Sequence, residues 1–290
     1  MTANSTQTSA SLTSAWRHPI NVSAHQKGGI HDDDTAQQLG FAGGTIAGSL
    51  HMEQFPPQLL THFSEDWWQH GNLSLYFTSA TIEGEAVQSL LQPAASGQAR
   101  AWMEKEDGTV VLDGTASLGE DQDSALRRRL TNVRPANDLR MLADVRIGET
   151  CASVPTRATD ADIDERLAVI TEPLAVYTAE SPKLAAYGGR VLPFAPLVHL
   201  FRAVEPSLVP IKGAYVGLFG AIEIQYLHGP IVSETDYLVS GQVLALSESP
   251  KTEIVWFEST LLDAKTNEPL ARMIKMDRLM KNASPLWSDE

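Results

Sequence analysis

Two histidines and three consecutive aspartates run into a glycine-rich stretch at residues 25 to 48, "HQKGGIHDDDTAQQLGFAGGTIAG". Imidazole titrates near neutrality, so His31, and after it His25, can carry a proton in either direction with little tuning. Asp32, Asp33 and Asp34 repel one another, yet each gains from a helix N-terminus beside them. The division of labour this suggests is Asp33 as cap or structural partner, with Asp32 or Asp34 orienting a histidine. Gly43 and Gly44 let the main chain approach a carbonyl oxygen and present amides to it, with helix polarity adding a favourable field. A glycine pair is also an ordinary turn; it is the histidine-aspartate block before it that points to chemistry. That chemistry is proton transfer beside a carbonyl whose oxygen gains charge in the transition state.

The elements that must hold these groups follow in order. Asp33 to Leu39 reads as a short helix with Asp32 or Asp33 at its N-cap, broken by "GFAGG". Thr45 to Phe63 is an apolar segment that Pro56 and Pro57 should kink or divide, since neither has an amide to donate. Gly48 lies near the start of that segment and is, with Gly43 and Gly44, a candidate to hold the substrate carbonyl. His51, three residues on, either points at the pocket or is a satisfied core histidine. Leu73, Leu75 and Phe77 alternate with Ser74, Tyr76 and Thr78, the period of a half-buried strand, and Glu83 to Glu85 marks a turn. Tyr76, with Trp67 and Trp68, either lines an aromatic pocket or closes the core. Asp107-Gly108 is a strong hairpin signal between two further strands.

The second half repeats this order. "GGRVLPFAPLVHLFRAV" echoes "GGTIAGSLHMEQF", and "IEIQYLHGPIVSETDYLVSGQV" echoes "LSLYFTSATIEGEAVQSLLQ", with Phe77 set against Tyr226 and Glu85 against Glu234. Two such units imply duplication, each a helix laid over the apolar face of an antiparallel sheet. The expected boundaries are a disordered tail over 1–16, an N-terminal unit over 17–120 with the active site, a linker over 121–164 and a C-terminal unit over 165–283. The second half carries nothing like "HDDD", so its expected task is to shape the substrate tunnel.

Composition narrows the function classes. Twenty-two basic against 36 acidic residues give a formal charge of −14, which disfavours nucleic acid and anionic membrane surfaces as partners. A small anionic ligand needs a local basic rim. The run Arg127 to Arg129 offers one, or is a solvated charge run. With one cysteine, Cys151, no intrachain disulfide framework or thiolate metal cluster is expected. The histidines and aspartates match no standard ligand spacing, so no metal is expected. The glycines match neither a dinucleotide fingerprint nor a phosphate loop, so no cofactor is expected. No signal peptide or membrane span is read, which makes the cytoplasm the expected compartment.

The stretch "GIHDDDTAQQLGFAGGTIAG" resembles the hydratase motif region of the MaoC-like branch of hot-dog proteins, over about residues 17 to 280. The resemblance implies an α+β double hot-dog fold, two repeats each with a central helix wrapped by an antiparallel sheet. His31 falls on the family's catalytic histidine and Asp33 on the structural acidic position after it. Ala36, Gly40 and Phe41 follow, Gly43 and Gly44 lie at the turn before the central helix, and Gly48 lies in its first turns. The activity implied is hydration or dehydration of an α,β-unsaturated or β-hydroxy acyl thioester of coenzyme A or an acyl carrier, by general acid and base catalysis. Where the family pattern reads Asp-x-Asn-Pro-x-His, this chain has Gln26, Gly28 and Gly29. Gln26 is not a base, so either His25, Asp32 or Asp34 takes over its task or the reaction is not ordinary water addition. An isomerase or cyclase using the same enolate stabilisation, and a non-catalytic acyl-binding subunit, are the competing readings. Assembly is open, a homodimer of such chains being a four-domain object.

Overall fold

The computed structural model describes residues 10–288. Its strands are β1 (Leu12–Thr13), β2 (Gly71–Phe77), β3 (Val87–Pro93), β4 (Ala99–Lys105), β5 (Val110–Leu118), β6 (Thr150–Thr156), β7 (Gly217–Tyr226), β8 (Tyr237–Glu248), β9 (Thr252–Asp263) and β10 (Pro269–Met280). They form one sheet in the order β1-β3-β4-β5-β2-β7-β10-β9-β8-β6, with antiparallel neighbours throughout. The two halves of that order are copies of one pattern meeting at the β2–β7 seam. The helices are α1 (Asp33–Gln38), α2 (Gly48–Met52), α3 (Pro56–Phe63), α4 (Trp67–His70), α5 (Ala125–Leu130), α6 (Asp160–Leu167), α7 (Leu184–Tyr187), α8 (Phe194–Arg202) and α9 (Glu205–Leu208).

Alternation sets the two faces of the sheet. Leu73 and Leu75 on β2 and Ile222 and Ile224 on β7 point inward, where they share one core with Met52, Phe55, Leu197 and Phe201 of the helical segments. Each such fully buried side chain contributes roughly 1.5–3 kcal/mol. The core is continuous across the seam because α2 packs on α8. Pro56 starts α3 and so ends the run begun by α2, its missing amide being harmless only in a first turn. On the outer face α5 covers the seam: Leu126 packs with Ala221, Trp256, Ile274 and Met276. Beneath it Asn72 Nδ2 donates to Glu223 Oε1 (3.2 Å) and Gln225 Oε1 (3.0 Å), Arg127 Nε donates to Glu223 Oε1 (3.2 Å), and the Ser124 hydroxyl donates to Glu223.

Two of the expected boundaries differ from the structure for one reason. Within the expected tail, Leu12 and Thr13 pair with Leu91 and Leu90; residues 1–9 of that tail lie outside the described residues. Within the expected linker, β6 pairs with β8, Thr156 opposite Tyr237 and Thr150 opposite Gln242. Both are edge strands at equivalent places in the two halves. An edge strand needs one partner and little burial, so it carries a weak hydrophobic period, and Pro155 weakens it further.

Candidate active site

A cavity of about 990 Å³ lies between the halves. One wall comes from Ile30, His31, the chain from Thr45 to Ser49, and Phe77 at the end of β2. The other comes from α8, α9 and the inner faces of β7 and β10.

His31 is fixed from several directions. Its main-chain carbonyl accepts from Asn21 Nδ2 (2.8 Å), and a side chain on Gly44 would put its Cβ 2.2 Å from that oxygen, so Gly44 is required for close packing there. The ring Nδ1 donates to the Thr45 carbonyl at 2.7 Å. A carbonyl can only accept, so Nδ1 carries the proton and the neutral ring keeps its lone pair on Nε2, for which no partner exists among the described residues.

Gly48 and Ser49 also line the cavity. Their amides are the first of α2 and find no acceptor among the described residues, as helix geometry dictates unless a cap is supplied. A Cβ at Gly48 would lie 2.8 Å from Phe77 Cζ and 3.0 Å from Phe219 Cδ1. These two rings meet edge to face, 5.7 Å apart. Phe219 reaches that place through a bulge. Alternation from Ile224 and Ile222 would turn Gly220 inward, but the register passes from Met276↔Ala221 to Asp277↔Phe219, skipping Gly220 and bringing Phe219 to the inner face.

His51 is buried on the cavity wall, sharing a 2.7 Å hydrogen bond between Nε2 and Thr81 Oγ1, with Nδ1 unpartnered. Burial above all, and the charge of Lys105 after it, push its pKa down to about 4, so the ring is neutral at physiological pH.

The other nominated residues lie elsewhere. His25 and Asp34 are exposed and away from the cavity. Asp32 accepts from Lys27 Nζ (2.6 Å) and Thr35 Oγ1 (2.8 Å), which hold its carboxyl below the usual range and turn it from His31. Asp33 Oδ1 accepts the Gly44 amide at 2.7 Å, which makes Asp33 structural and removes Gly44 as a donor to substrate. Gly43 is likewise packed against that carboxylate rather than lining the cavity. Tyr76 is on the outer face of the sheet, stacked between Arg129 (3.8 Å) and Arg278 (5.2 Å), because β2 alternation turns it opposite to Leu75 and Phe77. The arginine run is dispersed over separate contacts: Arg127 on Glu223, Arg128 on Asp123, Arg129 on Tyr76.

Sequence reasoning gave the second half the task of shaping the tunnel but nominated none of its side chains. His199, Arg202, Glu205, Lys275 and Asp277 all line the cavity. The available signal was a lysine at an inward position of "ARMIKMDRLM", whose alternation otherwise demands an apolar residue. It also missed Glu53, whose Oε1 accepts the Ala195 amide in the first turn of α8 at 3.0 Å, with Arg166 Nε 3.5 Å away. Burial pushes its pKa up to about 7 against the pull of Arg166. The isolated bridges Thr45↔Ile82 and Val191↔Val232 put α2 and α8 in equivalent places. The first turn of α8 therefore already holds a carboxyl group, while that of α2 opens on the cavity. Only one of two duplicated helix starts is available to a ligand.

Among the described residues no group of three histidine, cysteine, aspartate or glutamate side chains is arranged to hold a metal ion, and no helix is long and apolar enough to cross a membrane. A base with a free lone pair and unpaired amides on one cavity suits proton transfer next to a polarised carbonyl.

No protein-family model and no curated protein sequence matches the chain. Solved structures do. A putative MaoC domain protein dehydratase from Chloroflexus aurantiacus superposes with a TM-score of 0.63 at 11% identity, over 96% of this chain and 99% of the other. A Mycobacterium tuberculosis protein described as having a double hotdog fold gives 0.61 at 13% identity, over 94% and 97%. A further MaoC-like dehydratase gives 0.55 at 13%, over 92% and 97%. At these identities the likeness speaks for architecture: the chain has the double hot-dog fold found in MaoC-like dehydratases.

Proposed function

We propose that the protein adds water to, or removes it from, an α,β-unsaturated or β-hydroxy acyl thioester. The observation that carries this reading is the fixed tautomer of His31, which leaves Nε2 as an acceptor on the same cavity as the open amides of α2. In the hydration direction the substrate carbonyl accepts from the Gly48 or Ser49 amide, which favours charge moving onto its oxygen. His31 Nε2 takes a proton from water as the water oxygen bonds to the β-carbon and the carbon-carbon π electrons move toward the carbonyl. The imidazolium then returns that proton to the α-carbon. One imidazole so performs both transfers, which accommodates a glutamine at position 26 and the absence of Asp32, Asp33 and Asp34 from the cavity. Similarity in fold to MaoC-like dehydratases supports the same reading.

The test is mass spectrometry of purified protein with a panel of enoyl-coenzyme A thioesters, wild type beside His31→Ala. The expected result is a gain of one water, slowed by about 10² or more in the variant, the scale of a positioned proton transfer. No mass change with short, long and aromatic acyl groups rejects the hydratase reading. An unchanged rate in the variant rejects the assignment of His31.

A further inference from the structure

The cavity holds a charged group that the proposed chemistry does not use. Lys275 lies on the inward face of β10, its side chain 3% exposed, where its neighbours along the strand, Met273 and Leu279, belong to the core. Its Nζ donates to Glu205 Oε1 at 2.6 Å and to Asp277 Oδ2 at 2.9 Å. It lies 5.1 Å from the centre of the Phe219 ring and 5.6 Å from that of Phe257. Arg202 Nε in turn donates to both oxygens of Glu205, at 3.1 and 3.0 Å. An ammonium has three protons to give. Two are used, and no acceptor for the third exists among the described residues.

Taking an ammonium and its partners out of water costs several kcal/mol per ion, and an apolar residue of similar volume would serve the core as well or better. The sheet positions this group on the substrate cavity. Phe219, turned inward by the bulge at Gly220, links the two places: its ring abuts Gly48 on one side and lies beside Lys275 on the other. The cavity also lacks the acidity of the chain as a whole. Arg157, Arg202 and Lys275 line it with Glu205 and Asp277, Arg157 being paired with Glu234 and Asp236. An unsubstituted alkyl tail laid here would strip water from these charges and return nothing.

We infer that the cavity recognises an acyl group carrying a second oxygen-bearing polar function, a carboxylate or a hydroxyl, which accepts the third N–H of Lys275. The inference rests on the thioester reading for the rest of the substrate.

Calorimetric binding of saturated, unreactive acyl-coenzyme A thioesters of equal length tests this. Their far ends are methyl, hydroxyl or carboxylate. Wild type should bind a polar-ended member about tenfold or more tighter than the methyl-ended one, the scale of a hydrogen bond to a buried charge. The hydroxyl and carboxylate arms tell which oxygen is meant. Lys275→Met should erase the preference. Lys275→Met combined with Asp277→Asn guards against misfolding from a carboxylate left without its cation, and Lys275→Arg should restore part of the preference. Equal or tighter binding of the methyl-ended thioester overturns the inference, as does a preference that survives in the double variant, which would make the cluster a structural fastening of α9. Free glutarate against pentanoate forms a second arm without any thioester. If no thioester binds while glutarate is still preferred, the thioester reading fails and the polar subsite stands; if the thioesters bind without discrimination, the subsite alone fails.

Discussion

Glu53→Gln tests the claim that the second helix start is closed by a side chain. Glu53 has its carboxyl against the Ala195 amide with Oε2 unpartnered, and burial raises its pKa from 4.5 to about 7. A raised folded-state pKa means stability that is fully present below about pH 4.5 and is lost as pH rises through about 7, because the unfolded chain releases this proton first. At about 1.36 kcal/mol per pH unit, the loss amounts to about 3 kcal/mol on the alkaline side of that window. Glutamine keeps an oxygen for the Ala195 amide and does not titrate. The attraction to Arg166 exists only for the ionised carboxylate and is already contained in the pKa of Glu53. Urea unfolding of both proteins from about pH 5 to about pH 8, followed by tryptophan fluorescence, isolates the effect, since every other titrating group is shared. The stability of the variant relative to wild type should rise by about 2 kcal/mol over that interval. Parallel pH profiles would refute the reasoning, showing that the Glu53 carboxyl titrates normally and that the first turn of α8 is open to solvent.

Gly44→Ala places a Cβ 2.2 Å from the His31 carbonyl and 2.9 Å from Asn21 Nδ2, so calorimetric unfolding should show a loss of about 2–3 kcal/mol, with turnover falling as His31 is displaced. His51 should show neutral-ring nitrogen shifts by NMR down to about pH 5. Its depressed pKa is a source of stability present above pH 6.5 and lost as pH falls toward about 4; a titration midpoint near neutrality would contradict its burial. His25→Ala and Asp34→Asn, both exposed and outside the cavity, should leave the rate of water addition within about twofold of wild type, against the loss of about 10² for His31→Ala. A loss in either comparable to that of His31→Ala would return these residues to the site.

Much of the fold was legible because it rests on local periods. The alternation of Leu73, Leu75 and Phe77, the break at Pro56 and the turn at Asp107-Gly108 each report one element, and their repetition in the second half reports the duplication. The edge strands β1 and β6 were not legible, because pairing on one side leaves their side chains largely in solvent. His31 and Gly48 were nominated through the motif, and both line the cavity. Gly44 was read as an amide donor, yet its amide is taken by Asp33, a contact between residues eleven apart that no local pattern announces. Tyr76 shows the reverse case: the alternation that marked β2 also places this ring on the outer face, but which face carries the cavity depends on how β2 meets β7.

By itself the sequence determined the order of the central elements, the twofold repeat and the type of fold, and it nominated His31 for proton transfer, because each depends on residue type and short-range spacing. Only the tertiary structure decided which groups share the cavity. It turned Asp32 toward Lys27, closed the first turn of α8 with Glu53, and brought Lys275 and Asp277, more than two hundred residues from His31 along the chain, onto the same space. The physical reason is that the site lies at the seam between two halves of one sheet, where partners are set by strand order, register and a single bulge at Gly220.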